Sequence, residues 1–320
     1  MSQFGELKVF SGRAHEALAD AIAKELNTSL AAEEIGSFPD GEVRVQIEES
    51  VRGADVFLVQ PTSPPVNDNL MELLVIADAL KRASAGRITA VVPYFGYARQ
   101  DKKATGREPI TAKLVADLMQ TAGIQRVITM DLHAAQIQGF FNIPVDHLTA
   151  LGIIAEHYRR RDLYNTVVVT PDAGRAKHAK RLSDMTNLPL GLLHKRRVGG
   201  NGEPEITTVI GEVEGLRVIM IDDIVSTGGT IQRGVEALMN LGALDVSVAA
   251  THPVLVGAAI ECLTSPGISE VVFTDTVPLP PGSPPAFKIL SVAPLIANAI
   301  ARVHTNKSVS TLFEEVSALF

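Results

Sequence analysis

Tryptophan is absent from the 320 residues, aromatic side chains make up 5% and cysteine occurs once. The single Cys262 excludes an intrachain disulfide and any cysteine-rich metal site. Its place in a helical stretch, Val256–Leu263, marks it as a packed thiol. No apolar run approaches the length that crosses a bilayer, and the first residues, MSQFGELKVF, hold no charged-then-apolar leader. A soluble cytoplasmic protein with no membrane partner is therefore expected. Positive charge is not in excess either: 29 basic residues against 36 acidic ones leave a net charge of -7. Nothing in that balance calls for nucleic acid as a partner. Cations gather only locally, at Arg99–Arg107 and Lys195–Arg197, which suits a polyanionic small molecule better.

Apolar residues, at 46% of the chain, are ample for buried cores, and the length exceeds the usual size of a single core, so two domains are expected. Strand-like runs at Val56–Val59, Ile88–Val92, Val127–Met130, Val167–Val169, Val218–Ile221, Val246–Ala250 and Val271–Phe273 alternate with helical spacings. These fall at Leu70–Leu80, Ile110–Met119, Ile153–Tyr158, Ala176–Met185 and Ile231–Leu241. Such alternation predicts α/β layering around mostly parallel sheets.

The two halves echo one another. Ile88–Val92 leads into Pro93-Tyr94-Phe95-Gly96 as Val167–Thr170 leads into Pro171-Asp172-Ala173-Gly174, and Val127–Asp131 resembles Val218–Asp222. The second interval is longer by about the length of Lys195–Glu205, a polar, glycine-rich stretch read as an inserted mobile loop in a duplicated α/β unit. The boundary is placed near Leu148–Leu151, giving domains 1–149 and 150–292. The closing helix Pro294–Val303 and the tail, 293–320, return to the first domain. Pro278–Pro285, with five prolines in eight residues, reads as a rigid surface loop.

One stretch carries most of the chemistry. Val218–Ile221 runs into Asp222 and Asp223, then into Ser226-Thr227-Gly228-Gly229-Thr230 and an amphipathic helix. Glycines let the backbone approach a phosphate, hydroxyls add donors, and the helix N-terminus offers unpaired N–H groups. The acids suit the hydroxyls of a sugar whose phosphate lies in the turn.

Four further segments fall at strand ends, where ligands of open α/β sheets collect. Tyr94–Lys103 combines three aromatics with Arg99, Lys102 and Lys103, and reads as a phosphate-pairing or simply a solvated charged loop. Asp131-Leu132-His133 suits a metal-water ligand, a phosphate donor or a helix cap. Asp172 has the chemistry of an Mg2+ ligand or of a plain N-cap. His194–Gly202 is either a solvated charge run or a lid that brings cations onto a transferring phosphoryl group.

Taken together these segments resemble the ribose-phosphate pyrophosphokinase family, also called phosphoribosyl pyrophosphate (PRPP) synthetases. The resemblance is carried by FPDGE at Phe38–Glu42, KRASA at Lys81–Ala85, PYFGYARQDKK at Pro93–Lys103 and REPITAKL at Arg107–Leu114. It continues in DLHAAQIQGFF at Asp131–Phe141, KRR at Lys195–Arg197, Asp222–Thr230, THPVL at Thr251–Leu255 and SVSTLF at Ser308–Phe313. YARQD and DLHAAQIQGFF separate this family from phosphoribosyltransferases, which share the Asp-Asp turn but consume PRPP with a base. A non-catalytic regulatory subunit of a synthetase is the other alternative, and it should have lost catalytic residues that are present here.

The resemblance implies two phosphoribosyltransferase-like domains, each a mostly parallel sheet flanked by helices. It implies Mg2+-dependent transfer of the β,γ-diphosphoryl group of ATP to the C1 hydroxyl of ribose 5-phosphate, giving PRPP and AMP for nucleotide biosynthesis. Arg99, Gln100 and His133 would contact ATP, with Phe38, Asp40 and Glu42 reaching the adenine from a neighbouring subunit of a homo-oligomer, a hexamer. His133 and Asp172 would serve the metal–phosphate site and Lys195 and Arg197 the transition state. Asp222 and Asp223 would take the ribose hydroxyls, and Ser226, Thr227, Gly228, Gly229 and Thr230 the 5-phosphate. ADP and free phosphate would act at Ser50, Arg52, Ser84, Arg107, Ser308 and Ser310. Three positions depart from the family pattern: Ser226 where many members carry Asp, and Arg175 and His178 where a Gly and an Arg are common.

Overall fold

The computed structural model describes residues 4–197 and 204–312. The chain divides into two compact units. One is built from the residues through Thr149, Thr276–Pro278 and the stretch from Ser291; the other from Ala150–Asp275 and Leu279–Leu290.

The first unit contains β1 (Leu7–Ser11), α1 (Glu16–Glu25), β2 (Glu33–Ser37), β3 (Val43–Ile47), β4 (Asp55–Val59) and α2 (Val66–Arg82). β5 (Arg87–Val92), α3 (Thr111–Ala122), β6 (Arg126–Met130) and β7 (Val145–Leu148) follow. Among the described residues its main sheet has the order β1-β4-β5-β6-β7, parallel throughout. β4 and β5 are buried along their whole length, as apolar runs covered on both faces must be. β2 and β3 form a separate antiparallel hairpin. Leu30 bridges Val9 of β1 in parallel, while β4 pairs with β1 through Phe57. The chain thus leaves β1 toward one edge, returns, and adds β4 on the other.

The second unit contains α4 (Leu151–Arg159), β8 (Thr166–Thr170), α5 (Ala176–Thr186), β9 (Leu190–Arg197), β10 (Pro204–Ile210) and β11 (Arg217–Val225). α6 (Gly229–Asn240), β12 (Asp245–Pro253), α7 (Ala259–Leu263), β13 (Ile268–Thr274) and β14 (Lys288–Leu290) complete it. Its sheet runs β10-β9-β8-β11-β12-β13-β14 among the described residues, with only β10 antiparallel to its neighbour. Alternation along β11 builds two cores. Val218 and Met220 pack toward α6 and α7 with Val235 and Leu238, while Ile219 and Ile221 pack toward α4 and α5 with Ile154 and Leu182.

α8 (Ala293–His304) belongs to the first unit and packs beside α1, burying Ile296, Ala297, Ile300 and Val303. Both units are α/β layers around mostly parallel sheets.

Several elements differ from the sequence reading. β11 does not stop at Ile221 but continues through both acids to Val225, because β12 keeps pairing with it as far as Val225↔Pro253. The two ends of the stretch read as an inserted loop from Lys195 pair as antiparallel strands: Lys195 with Ile206 and Arg197 with Pro204. Only 198–203 of it lie outside the described residues. The helix around Cys262 starts at Ala259 rather than Val256, since Leu255 and Gly257 adopt positive φ of 41° and 61°. β1, the β2–β3 hairpin, β9, β10 and β14 lacked a readable apolar run.

Candidate active site

The second unit changes direction at one place. β8 hands the chain through α5 to β9 on one side, whereas β11, on the other side of β8, leads through α6 to β12. Such a switch point opens a crevice beyond the strand ends, because the two following helices diverge. Two segments that the sequence singled out flank it: Pro171–Arg175 after β8, and Asp222–Thr230 at the end of β11.

Asp222 and Asp223 are adjacent, and the Asp223 backbone N donates to Asp222 Oδ1 at 2.8 Å. Asp223 is 3% exposed. Burial, and next the Asp223 carboxyl beside it, hold the Asp222 carboxyl well above the usual carboxylate range, while Arg175 pulls the other way. Arg175 Nη2 stands 2.5 Å from Asp223 Oδ2, and its Nε 4.0 Å from Asp222 Oδ1. A guanidinium from one side of the switch point therefore pairs with the acids of the other.

Beyond the acids, Ser226 accepts from Val256 N through its carbonyl, at 2.9 Å. Gly228 caps α6 with φ of 78°, and no side chain caps the helix in its place. A Cβ at Gly228 would come within 2.7 Å of Cys262 Cβ and 3.2 Å of Ala259 Cα. Only glycine satisfies both the left-handed backbone and this close approach to α7. Cys262, buried as a packed thiol, donates Sγ–H to Gln232 Oε1 at 3.2 Å on the next turn of α6. The result is a helix N-terminus of α6 with Thr227 exposed and Gly229 and Thr230 half-buried, an anion-accepting arrangement.

Asp172 is exposed, and its Oδ1 accepts from Gly174 N at 3.0 Å, which folds the turn that ends in Arg175. Lys195 and Arg197 close β9; the placement of their side chains lies outside what is described.

In the first unit the strand order reverses between β1 and β4, and side chains of the chain itself pack at that point. Gly12 N donates to Val59 O at 3.0 Å, and a Cβ at Gly12 would fall 2.3 Å from Gln60 Oε1. Arg13 donates from N and Nε to the two oxygens of buried Glu72, at 2.7 and 2.6 Å.

An open cavity of this unit lies elsewhere. It has a volume of about 340 Å3 and is lined by Val66 and Asn67 at the start of α2 with Tyr94, Tyr97, Arg99 and Gln100. The Tyr97 hydroxyl donates to Asn67 Oδ1. Gln100 accepts from Thr111 Oγ1 at 2.5 Å and through its carbonyl from Ala112 N at 3.2 Å, which ties the loop to α3. Phe95, read with the aromatics of this segment, instead packs edge-on against Phe141 in the core, ring centres 5.9 Å apart.

Asp131, with φ of 36°, follows β6, and Leu132 N donates to His147 Nε2 at 2.8 Å. Gln138 meets the other ring nitrogen of His147 at 3.2 Å. His147 thus shapes the turn that presents His133. The sequence reading missed it, since an isolated histidine in a strand carries no pattern.

Phe38, Asp40 and Glu42 sit at the tip of the β2–β3 hairpin. Asp40 Oδ1 accepts from Glu42 N at 3.2 Å, and Phe38 is 47% exposed. Arg52 bridges Ala85, and Gly53 N donates to Ser84 O at 2.9 Å, so Arg52 and Ser84 are brought together beside exposed Ser50. Arg107, Ser308 and Ser310 are exposed, and the Ser308 carbonyl accepts from Arg302 Nη1 at 3.1 Å. Among the described residues no group of three or more His, Cys, Asp or Glu side chains is disposed to hold a metal ion. No helix among them is long and apolar enough to cross a membrane.

An acid pair at a switch point, continuous with a glycine-rich helix N-terminus, is an arrangement suited to a phosphorylated ligand in α/β proteins. Residues 7–123 match the family model described as the N-terminal domain of ribose phosphate pyrophosphokinase, and residues 198–314 match the phosphoribosyl synthetase-associated domain. A ribose-phosphate pyrophosphokinase of Caldanaerobacter subterraneus subsp. tengcongensis is 52% identical over 309 residues, covering 96% of this chain and 98% of the relative. That of Thermotoga maritima is 51% identical over 316 residues, covering 98% and 100%. The crystal structure of phosphoribosylpyrophosphate synthetase from Mycobacterium smegmatis superposes with a TM-score of 0.88 at 45% identity, covering 94% of this chain and 100% of that one. The chain belongs to the ribose-phosphate pyrophosphokinase family and is an enzyme of that activity.

Proposed function

We propose that the enzyme transfers the β,γ-diphosphoryl group of ATP to the C1 hydroxyl of ribose 5-phosphate, with Mg2+ as cofactor, giving PRPP and AMP. The observation that carries this reading is the continuity of Asp222–Asp223 with the α6 N-terminus. Acceptors for sugar hydroxyls and donors for a phosphate stand side by side at one switch point.

In this reading Asp222 and Asp223 accept from the ribose hydroxyls, and the turn Ser226–Thr230 receives the 5-phosphate on its N–H groups. Arg99 and Gln100, which line the cavity of the first unit, bind ATP together with His133. Phe38, Asp40 and Glu42 come from a neighbouring copy in a homo-oligomer, a hexamer. The C1 oxygen bonds to the β-phosphorus as the bond from that phosphorus to the α-phosphate oxygen breaks. AMP departs and the hydroxyl proton passes to solvent. Such a step asks for in-line positioning and neutralisation of spreading charge rather than covalent chemistry. Lys195 and Arg197 supply cations for it.

The residues fit Mg2+, which favours one or two carboxylates with substrate phosphates and water. Asp172 offers an exposed carboxylate, and the imidazole of His133, a poor ligand for so hard an ion, would act on a metal-bound water or a phosphate. When bound, the metal neutralises and orients the phosphate oxygens. ADP and free phosphate act as effectors at Ser50, Arg52, Ser84, Arg107, Ser308 and Ser310.

The test is release of AMP from ATP and ribose 5-phosphate with Mg2+ and inorganic phosphate, followed by chromatography. AMP and PRPP are expected in equal amounts. Hydrolysis to ADP, or no turnover, would overturn the assignment.

A further inference from the structure

Arg175 occupies a position that the reaction as outlined does not use. It ends the turn after β8, where its backbone N donates to Asp172 O at 2.9 Å. From there its guanidinium crosses to β11 and lies 2.5 Å from Asp223 Oδ2, with only 15% of its side chain exposed. Asp222 is the second acid within its reach, at 4.0 Å.

Two buried carboxyls in adjacent positions have a low-energy alternative to binding a sugar. One takes up a proton and donates it to the other, so the acceptors are spent on each other. A guanidinium is always protonated and donates from a planar fork, so it holds a carboxylate by direction as well as by charge. A sugar diol needs the opposite of the closed pair: oxygens that accept, facing the crevice.

We propose that Arg175 is a positioning residue for sugar recognition, holding the Asp223 carboxylate across the switch point so that Asp223 faces the ribose diol as an acceptor instead of turning wholly onto the Asp222 carboxyl. It acts through the acids and leaves the diphosphoryl donor untouched. The inference rests on the reading that ribose 5-phosphate binds at this pair.

The experiment uses the full-length enzyme with Mg2+, phosphate and saturating ATP, and compares wild type with Arg175→Ala, Arg175→Gln and Arg175→Lys. Loss of a hydrogen bond to a charged group predicts a rise of about 10- to 100-fold in KM for ribose 5-phosphate in the Ala and Gln variants. KM for ATP should stay within about twofold and kcat at saturating sugar should fall far less than kcat/KM, the pattern of lost ground-state binding. Arg175→Lys should recover part of the affinity. Calorimetric titration should show wild type favouring ribose 5-phosphate over 2-deoxyribose 5-phosphate, and the Ala and Gln variants losing most of that preference. The Gln variant keeps a donor without charge and reads the same split where Arg175→Ala fails to fold. An unchanged KM for the sugar, or a KM for ATP that rises equally, would overturn the role of Arg175. A wild type that neither binds nor consumes ribose 5-phosphate would instead overturn the proposed function, so the two failures are distinct.

Discussion

Arg175 and His147 mark what single residues conceal in a linear reading. Arg175 was visible only as an odd side chain beside Asp172; its partner lies 48 positions away on the neighbouring strand. Gly228 was read as letting the backbone approach a phosphate, but the reason no other side chain fits is its positive φ and the approach of Cys262 from α7. Glu33 had no reading at all. It accepts from Ser11 N at 3.0 Å through Oε1, while Oε2 is buried with no partner among the described residues. Burial is the main cause, with Glu72 and Glu16 adding to it, of a carboxyl pushed up to about 7. The folded protein therefore keeps the Glu33 proton over a range in which the unfolded chain releases it. Stability from this group is present below about pH 4.5 and is lost as pH rises through about 7. Glu33→Gln should remove that slope: the melting temperature of wild type relative to the variant should fall between about pH 4.5 and 7. A difference that stays flat over that range would show the carboxyl is not perturbed.

Among the elements, the long amphipathic helices and the doubly buried strands were readable, because periodicity and apolar runs reflect which faces are covered. β9 and β10 were not. Their charged and polar residues join the sheet through backbone pairing, which leaves no mark in side-chain pattern. The same holds for the end of β11, where β12 carries the strand past two acids that look like a terminus. α8 shows how an element is fastened. Asp55 is 0% exposed and accepts from Arg87 Nε and Nη2 at 2.7 and 2.6 Å, while His304 of α8 lies 2.8 Å from its Oδ2. Arg87 also donates to Val303 O at 3.2 Å. Asp55→Ala would leave that guanidinium buried without its counter-charge, a loss of about 3–5 kcal/mol. The expected result is a lower melting temperature with faster amide exchange in α8 than in α2. Exchange that rises no more in α8 than in α2 would show that the ion pair does not hold the closing helix.

At the scale of the whole molecule, the two units put their switch points to different use. In the first, Gln60 and the Arg13–Glu72 pair sit beyond β1 and β4, while in the second the strand ends carry an acid pair, its Arg175 partner and the N-terminus of α6. If the ATP site is completed by a neighbouring copy, as proposed, co-expression of a Lys195→Ala chain with a Phe38→Ala chain should rebuild some intact sites. Each homogeneous variant should lose activity, the first by about 10²–10³ in kcat, as for one lost transition-state donor. The mixed assembly should recover a measurable fraction of wild-type rate. Recovery no greater than the average of the two would place Phe38 outside a shared site. The sequence by itself determined the α/β class, the glycine-rich turn that opens α6, and the family. These depend on local period and on contiguous groups of residues. Tertiary structure alone decided that β11 runs through its acids, that Gln60 packs onto Gly12 beyond β1, and that Arg175 meets Asp223. Each of those is a contact between strands distant along the chain, set by sheet order, which no local pattern encodes.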